Sequence, residues 1–201
     1  MAFPGNLTRT WWRSAFQPAA FFAGAADRTI IRPVLYFLIV AVLVTSLWLA
    51  WGAVLPGSSP GPVQEAIGLF SPALVDAEAA WSRPALLLAT FFLTPLAAVL
   101  YLVVRSLIIH LAVVLLAPGR RPFAATVRTI CYASGPWLFS VVPWVGVLVG
   151  VVWEVVLTVV GLREAHRMST GRACATWLIA LIIPLGGILF AALLAIISSV
   201  A

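Results

Sequence analysis

Residues 85–117 read ALLLATFFLTPLAAVLYLVVRSLIIHLAVVLLA, and this stretch decides the class of the protein. Its single charged side chain is Arg105, and as one helix it would be roughly 50 Å long. The hydrocarbon core of a bilayer is about 30 Å thick, so the run predicts a membrane span that tilts, breaks or extends beyond the bilayer. Pro95 is expected to kink it, and the stretch can be one kinked helix or two.

The composition of the whole chain agrees with this stretch. Hydrophobic residues make up 63% of the 201 residues and charged residues only 9%, and the mean hydropathy is +1.12. A soluble domain has about 45–50% apolar and about 25% charged residues. Because a chain of this length cannot bury so much apolar surface in a water-soluble core, we predict an all-α, polytopic transmembrane helix bundle.

Hydropathy along the chain predicts five spans. They cover approximately residues 33–54, 85–117, 124–142, 146–162 and 173–197. The first is longer than the apolar core of a cleaved signal peptide, so it is expected to be retained. The third is marginal because it contains Arg128, whose side chain must reach the membrane interface. Pro143–Gly146 is expected to form a tight turn, and Pro184 to bend the last span.

Two regions flank the first span. Residues 1–32 are aromatic and basic and predict cytoplasmic helix segments at the membrane interface, interrupted near Pro18; packing of this segment onto the ends of the spans is the alternative, and both can hold. Residues 33–201 form the predicted transmembrane domain. Its outer linker, 56–84, is rich in Pro, Gly and Ser, and we expect a short surface helix in its second half, around 71–81.

Arginine positions orient the predicted bundle. All twelve basic residues are arginine, and five spans leave ten of them on one side. These ten are Arg9, Arg13, Arg28, Arg32, Arg120, Arg121, Arg128, Arg163, Arg167 and Arg172. The opposite side has only Arg83, so the positive-inside rule places the N-terminus in the cytoplasm and the C-terminus outside the cell's inner membrane. Four or six spans would break this segregation. The net charge of +6 therefore reflects topology and does not predict nucleic-acid binding.

Three ionisable residues fall inside the predicted spans: Arg105, His110 and Glu154. Charged groups at this depth are costly and usually face protein or water. Counting residues to the cytoplasmic ends of the spans places Glu154 level with His110 and diagonal to Arg105. We therefore expect an intramembrane polar cluster of these three side chains.

A stripe of glycines orients Glu154. Gly146, Gly150 and Glu154 are four residues apart and share one helix face, and Gly161 lies near it. Small residues at this spacing allow close helix packing, so Glu154 is expected to point into the bundle. Three interpretations remain open: a structural ion pair, a proton or ion relay, or separate roles for each residue.

Basic and aromatic residues gather on the predicted cytoplasmic face. They are Trp11, Trp12, Arg13, Arg120, Arg121, Arg163, His166, Arg167 and Arg172, and the acidic Glu164 lies among them. Tryptophan favours the headgroup region and arginine favours anionic lipid, so lipid contact is expected there. A docking surface for a protein partner is the alternative.

Motifs of catalysis or metal binding are absent from the sequence. It has no His-Glu-x-x-His, no Gly-x-Ser-x-Gly and no glycine-rich phosphate loop. Cys131 and Cys174 lie near cytoplasmic ends of spans, where a disulfide is not expected, and their spacing with His166 fits no known metal pattern. We expect no catalysis, no cofactor and no metal.

Two parts of the chain resemble a known family, the bacterial Yip-domain proteins. The first is Trp11 followed by Phe16-Gln17-Pro18-Ala19-Ala20-Phe21-Phe22, in which Gln17 stands where the family usually has Asn. The second extends from Pro118 to Ala173. It contains Gly119-Arg120, Phe123-x-x-Thr126, Tyr132-Ala133-Ser134-x-Pro136, Pro143-x-x-Gly146, Trp153, Gly161-Leu162-Arg163-Glu164-Ala165-His166 and Ser169-x-x-Arg172-Ala173.

The resemblance implies a fold and a location more than an activity. It implies five spans with a cytoplasmic N-terminus. Eukaryotic members are membrane proteins of the early secretory pathway that associate with Rab-type GTPases and with other Yip proteins through a longer, hydrophilic N-terminal region. The short aromatic N-terminus here differs from that region, so GTPase binding is not carried over. Membrane organisation by a scaffold or adaptor, with homo-oligomers or other membrane proteins as partners, is the leading expectation. A small ion- or proton-coupled transporter or channel is the alternative.

Overall fold

The structure, a computed structural model, describes residues 7–24, 29–54, 83–116 and 122–200. Within these ranges all regular structure is helical. The helices are α1 (Leu7–Phe16), α2 (Pro18–Gly24), α3 (Ile31–Val54), α4 (Arg83–Leu116), α5 (Phe123–Ala133), a 3₁₀ helix (Gly135–Val141), α6 (Val145–His166) and α7 (Thr170–Val200). The prediction of an all-α polytopic membrane protein is confirmed for this part of the chain.

Four of these helices are long and apolar enough to cross a membrane. The qualifying segments are Ile31–Trp51, Leu88–Leu116, Val145–His166 and Thr170–Gly187. They correspond to the predicted first, second, fourth and fifth spans. The second is one continuous helix through Pro95, and the last is continuous through Pro184.

The predicted third span, 124–142, differs from the others. It consists of the 11-residue α5 and the 7-residue 3₁₀ helix. The cause is Pro136, which has no N–H to continue the α-helical ladder. The helix changes to the tighter 3₁₀ form there, and the backbone N–H of Trp137 donates to the Ser134 carbonyl at 3.1 Å. The count of five spans therefore stays a prediction.

Two predictions lie outside the described residues. One is the short surface helix in the linker, and the other is the placement of Arg120 and Arg121.

α6 is the centre of the packing. It contacts the 3₁₀ helix, α5, α2 and α7, and it has buried residues along its whole length, from Gly146 to His166. In contrast, where burial is described, the buried residues of the other long helices are confined to one part of each helix. They fall in the ranges 33–40 of α3, 102–113 of α4 and 173–176 of α7. We use the name packed body for α1, α2, α5, the 3₁₀ helix and α6, together with these buried parts of α3, α4 and α7.

The rest of α4 stands clear of the packed body. Leu88, Phe92, Leu96 and Leu100 recur about once per helical turn and are 60–72% exposed. An exposed row of large apolar side chains suits contact with lipid chains. The packed body therefore lies at one end of the long helices, the end where each joins an arginine-bearing segment.

Candidate functional site

A largely buried ion pair joins α4 to α6. Arg105 donates from Nη1 to Glu154 Oε1, and the two side chains are only 19% and 9% exposed. The second carboxylate oxygen, Oε2, accepts from the Trp137 indole N–H at 2.8 Å. Glu154 is thereby tied to α4 and to the 3₁₀ helix at the same time.

Tyr101 completes the surroundings of Arg105. It lies one turn earlier on α4, and its hydroxyl accepts a hydrogen bond from Arg105 Nη1 at 2.9 Å. The guanidinium carbon also stands 5.6 Å from the centre of the Tyr101 ring, within cation–π range. Arg105 is therefore held from two sides, and both oxygens of Glu154 have donors from other elements.

His110 is not part of this cluster, contrary to the sequence prediction. Five residues separate it from Arg105, which places it about 140° further around α4. Its Nδ1 lies 2.9 Å from Thr126 Oγ1, and its ring stacks edge-on against Phe123 with centroids 5.3 Å apart. Counting depth along the helices ignored this angular difference.

The same threonine hydroxyl reaches a second histidine. Thr126 Oγ1 lies 3.0 Å from His166 Nε2, so one hydroxyl joins α4, α5 and α6. A hydroxyl donates only once, so at least one of the two rings must donate to it. His166 is 1% exposed, which corrects its prediction as a lipid or partner contact. Among the described residues, no group of three or more His, Cys, Asp or Glu is placed to hold a metal ion.

The predicted glycine stripe marks the closest helix contacts. A β-carbon on Gly146 would collide with the backbone carbonyl oxygen of Phe139, and one on Gly150 would lie 3.1 Å from that of Pro136. A β-carbon on Gly161 would lie 2.6 Å from Thr129 Cγ2. Backbone approach along this face of α6 is what brings Glu154 to Trp137.

Two indoles fasten the N-terminal helices to the packed body. Trp11 donates from Nε1 to the carbonyl of Gly135 at 2.9 Å. In the opposite sense, Trp153 donates from Nε1 to the carbonyl of Ala15 at 2.8 Å. Phe22, at 6% exposure, fills the space beside Gly161. The structure thus shows packing of the first segment onto the bundle, the alternative that the sequence left open, and the half-buried Trp11 is one of the residues that dock it.

The neighbouring tryptophan provides a matched test of this docking. Trp11→Phe keeps an aromatic ring but removes the donor to Gly135, at a cost of about 1 kcal/mol. We expect trypsin to cleave at Arg9 and Arg13 roughly fivefold faster in the variant. Trp12 is 54% exposed, so Trp12→Phe should leave the rate unchanged. Equal acceleration in both variants would mean that the indole bond does not hold the segment.

A comparison with family models agrees with this architecture. The model of the Yip1 domain matches residues 12–194. The chain belongs to the Yip1 domain family. Neither the comparison with curated proteins nor that with solved structures returned a match. The Yip1 domain includes the docked N-terminal helices from Trp12 onward, as well as the ion pair and the His110–Thr126–His166 contact.

The outward face of α1 carries the remaining predicted contacts of this Yip1 domain's N-terminus. Arg9, Trp12, Arg13 and Phe16 are exposed and follow one another at helical spacing. The rings of Trp12 and Phe16 lie 4.4 Å apart. Two cations and two aromatic rings therefore share a surface that the packing of α1 leaves open.

The connection between α6 and α7 carries the other predicted surface charges of the Yip1 domain. Arg163 and Glu164 are half-buried and pair with each other, Nη2 to Oε1, at 2.6 Å. Arg167 ends α6 in the left-handed conformation, with φ 51°, and is exposed. Arg172 is exposed near the start of α7.

Sequence reasoning missed Tyr101, Thr126, Trp137 and Trp153 as contacts of the buried polar groups. An indole N–H or a hydroxyl inside an apolar stretch needs a partner, which is a usable signal. The signal does not name that partner, because the carbonyls of Gly135 and Ala15 look like any other in sequence.

Proposed function

We propose that this Yip1 domain protein is a non-catalytic scaffold that organises the membrane around it through lipid and helix contacts. Its N-terminus faces the cytoplasm and its C-terminus the outside of a bacterial inner membrane, as the one-sided arginines indicate. Its partners are anionic lipid on the cytoplasmic face, further copies of the chain or other membrane proteins.

The observation that carries this proposal is that each carboxylate oxygen of Glu154 accepts a hydrogen bond. Both of its carboxylate oxygens accept from side chains on other elements, Arg105 and Trp137. A relay needs a carboxylate that releases and takes up protons in turn, whereas this one is held as a partner of a permanent cation. With His110 on another face of α4, the histidine of the predicted relay is missing from the pair. The arrangement suits a lock between helices.

The exposed face of α1 supports contact with anionic lipid. Arg9 and Arg13 supply positive charge beside the rings of Trp12 and Phe16, the combination that favours the headgroup region. The indole bonds of Trp11 and Trp153 hold this face in one orientation. The exposed apolar row on α4 gives a second surface, suited to acyl chains or to a helix of another membrane protein.

Flux measurements on reconstituted protein test the proposal against transport. We expect liposomes containing the protein to pass protons, sodium, potassium and chloride no faster than empty liposomes. Glu154→Gln, reconstituted alongside and checked for helical content, should behave in the same way. Flux in the native protein that disappears in a folded Glu154→Gln variant would overturn the scaffold and establish a transporter.

A further inference from the structure

We infer that α5, the 3₁₀ helix and α6 form a re-entrant hairpin that enters the bilayer from the cytoplasmic side and turns back within it. The Pro143–Trp144 turn then contacts acyl chains instead of the outer solution. Three helices, α3, α4 and α7, cross completely. The assignment of the side rests on the orientation proposed above, whereas the depth of the turn does not depend on the proposed function.

The arginine distribution permits only two arrangements. If α6 crossed alone, Arg163, Arg167 and Arg172 would lie on the side opposite to Arg128, against the positive-inside rule. Either α5 with the 3₁₀ helix crosses together with α6, making five spans, or none of them does. Charge cannot separate these two cases, because every arginine stays on the same side in both.

The register of α6 against α4 favours the arrangement in which neither α5 with the 3₁₀ helix nor α6 crosses the membrane. Glu154 meets Arg105, whose guanidinium lies at the level of the Tyr101 hydroxyl. From Glu154, the chain has nine residues to the start of α6 at Val145, or about 14 Å. From Tyr101, α4 continues for 18 residues to Arg83, or about 27 Å. α4 therefore outreaches the turn by about 13 Å.

The register of the 3₁₀ helix against α3 gives an independent value. A β-carbon on Gly135 would collide with the Tyr36 hydroxyl, so these two residues lie side by side. The 3₁₀ helix rises about 12 Å from Gly135 to Val141. In the same direction α3 continues 18 residues from Tyr36 to Val54, or about 27 Å. α3 therefore outreaches the turn by about 15 Å.

α6 is also inclined to α4, which shortens its reach further. The shared hydroxyl of Thr126 places His110 and His166 near one level. From there to the ion pair, α6 uses 12 residues, about 18 Å, whereas α4 uses five, about 7.5 Å. The length of the side chains accounts for part of the difference between 18 Å and 7.5 Å. The inclination of α6 to α4 accounts for the rest.

The lengths of α3 and α4 place the edges of the hydrocarbon. From Arg83 to Arg105 α4 rises about 33 Å, and from Pro33 to Val54 α3 rises about 32 Å. Both match a core of about 30 Å. Arg105 and Arg32 then mark the cytoplasmic edge, and the turn, about 13–15 Å short of the far ends, lies within the bilayer.

The chemistry of the turn suits an acyl environment. Residues 141–152 contain no charged, hydroxyl or amide side chain, and the indole N–H of Trp144 is their one polar side-chain group. Trp144 is 78% exposed, Leu148 67% and Val145 65%. Backbone donors in lipid must be satisfied internally, and here Val145 donates to Pro143 at 2.8 Å and Gly146 to Val142 at 2.9 Å. The first of these bonds closes a γ-turn at Trp144, with φ 63° and ψ −68°, a strained form that satisfies one more donor.

This placement also removes a cost from the buried polar groups. The Arg105–Glu154 pair, with Tyr101 and Trp137, comes to lie at the membrane interface, where these residue types are favoured. Arg128 and the His110–Thr126–His166 contact lie on the cytoplasmic side of that level. No ion pair then has to be maintained at mid-membrane.

Single-cysteine labelling tests the depth of the turn. Cys131 and Cys174 are first replaced by Ala, and cysteine is introduced at Val142, which is 53% exposed and thus not shielded by protein. We expect a membrane-impermeant thiol reagent to leave it unmodified in intact spheroplasts and after lysis, and to modify it only after denaturation. Controls are Ser58→Cys in the outer linker, labelled in intact spheroplasts, and Ser169→Cys, labelled only after lysis.

A nitroxide attached at position 142 gives a second readout in liposomes. We expect its relaxation to be enhanced by oxygen far more than by a water-soluble nickel chelate, as at mid-leaflet depth. Labelling of position 142 in intact spheroplasts at the rate of position 58, with strong nickel enhancement, would overturn the hairpin and establish five spans. Labelling only after lysis would place the turn in the cytoplasm and overturn it as well.

Discussion

Arg105→Met is expected to lower the free energy of unfolding by about 3 kcal/mol, because it leaves the Glu154 carboxylate largely buried with only the Trp137 indole as partner. Removing one member of a buried pair costs more than the pair itself contributes, since the remaining charge loses its compensation. The measurement is reversible unfolding in mixed micelles, followed by circular dichroism.

The chain contains its own control for this result. Arg163 and Glu164 also form an ion pair, but their side chains are 36% and 27% exposed. Exposed pairs contribute about 0–1 kcal/mol, so Glu164→Gln should change the free energy of unfolding by no more than that. The double variant Arg105→Met/Glu154→Leu should recover part of the loss, because no unpaired charge remains. Equal effects of Arg105→Met and Glu164→Gln would contradict the assignment of Arg105–Glu154 as the helix lock.

Gly146→Ala is expected to have the second large effect. The new β-carbon would collide with the backbone carbonyl of Phe139, and backbone cannot rotate away as the end of a flexible side chain can. Overpacking of this kind costs about 1–3 kcal/mol or more. We expect the start of α6 to separate from the 3₁₀ helix, and the measured effect is a lower unfolding midpoint.

Gly171→Ala is the matched control. It is the same substitution in a helix, near the start of α7, and its β-carbon meets nothing within 4 Å. Alanine is the better helix former by about 1 kcal/mol, so this variant should be as stable as the native protein or slightly more stable. If Gly146→Ala behaved like Gly171→Ala, close packing of α6 on the 3₁₀ helix would not be a feature of the folded protein.

The long helices were predictable from sequence to within a few residues. α3 follows an uninterrupted apolar run and α4 one that is broken only by Arg105 and His110, and the arginine and proline residues at their ends mark where helix or hydrocarbon stops. The segment 124–142 was harder, because its hydropathy resembles that of a span while Pro136 changes the helix type. Hydropathy measures how apolar a stretch is, and it does not register where the ladder of hydrogen bonds breaks.

The candidate site was predictable in part. The glycine register on α6 indicated that Glu154 faces the bundle, and Glu154 is indeed buried there. One predicted partner of Glu154 was wrong. His110 lies about 140° around α4 from Arg105 and contacts Thr126 instead. For Trp11, lipid contact and packing onto the bundle were both left open, and its indole donates to the Gly135 carbonyl. The error for His110 came from using depth without direction.

The sequence by itself determined the membrane class, because hydrophobic length acts on each stretch separately, whatever its neighbours. The partners of Glu154, the threonine shared by two histidines, the docking of α1 and the reach of the α6 turn were decided only by the tertiary structure. Each depends on the angle and rotation of one helix against another. Those follow from close contacts, such as Gly161 on Thr129 and Gly135 on Tyr36, which join residues distant in the chain.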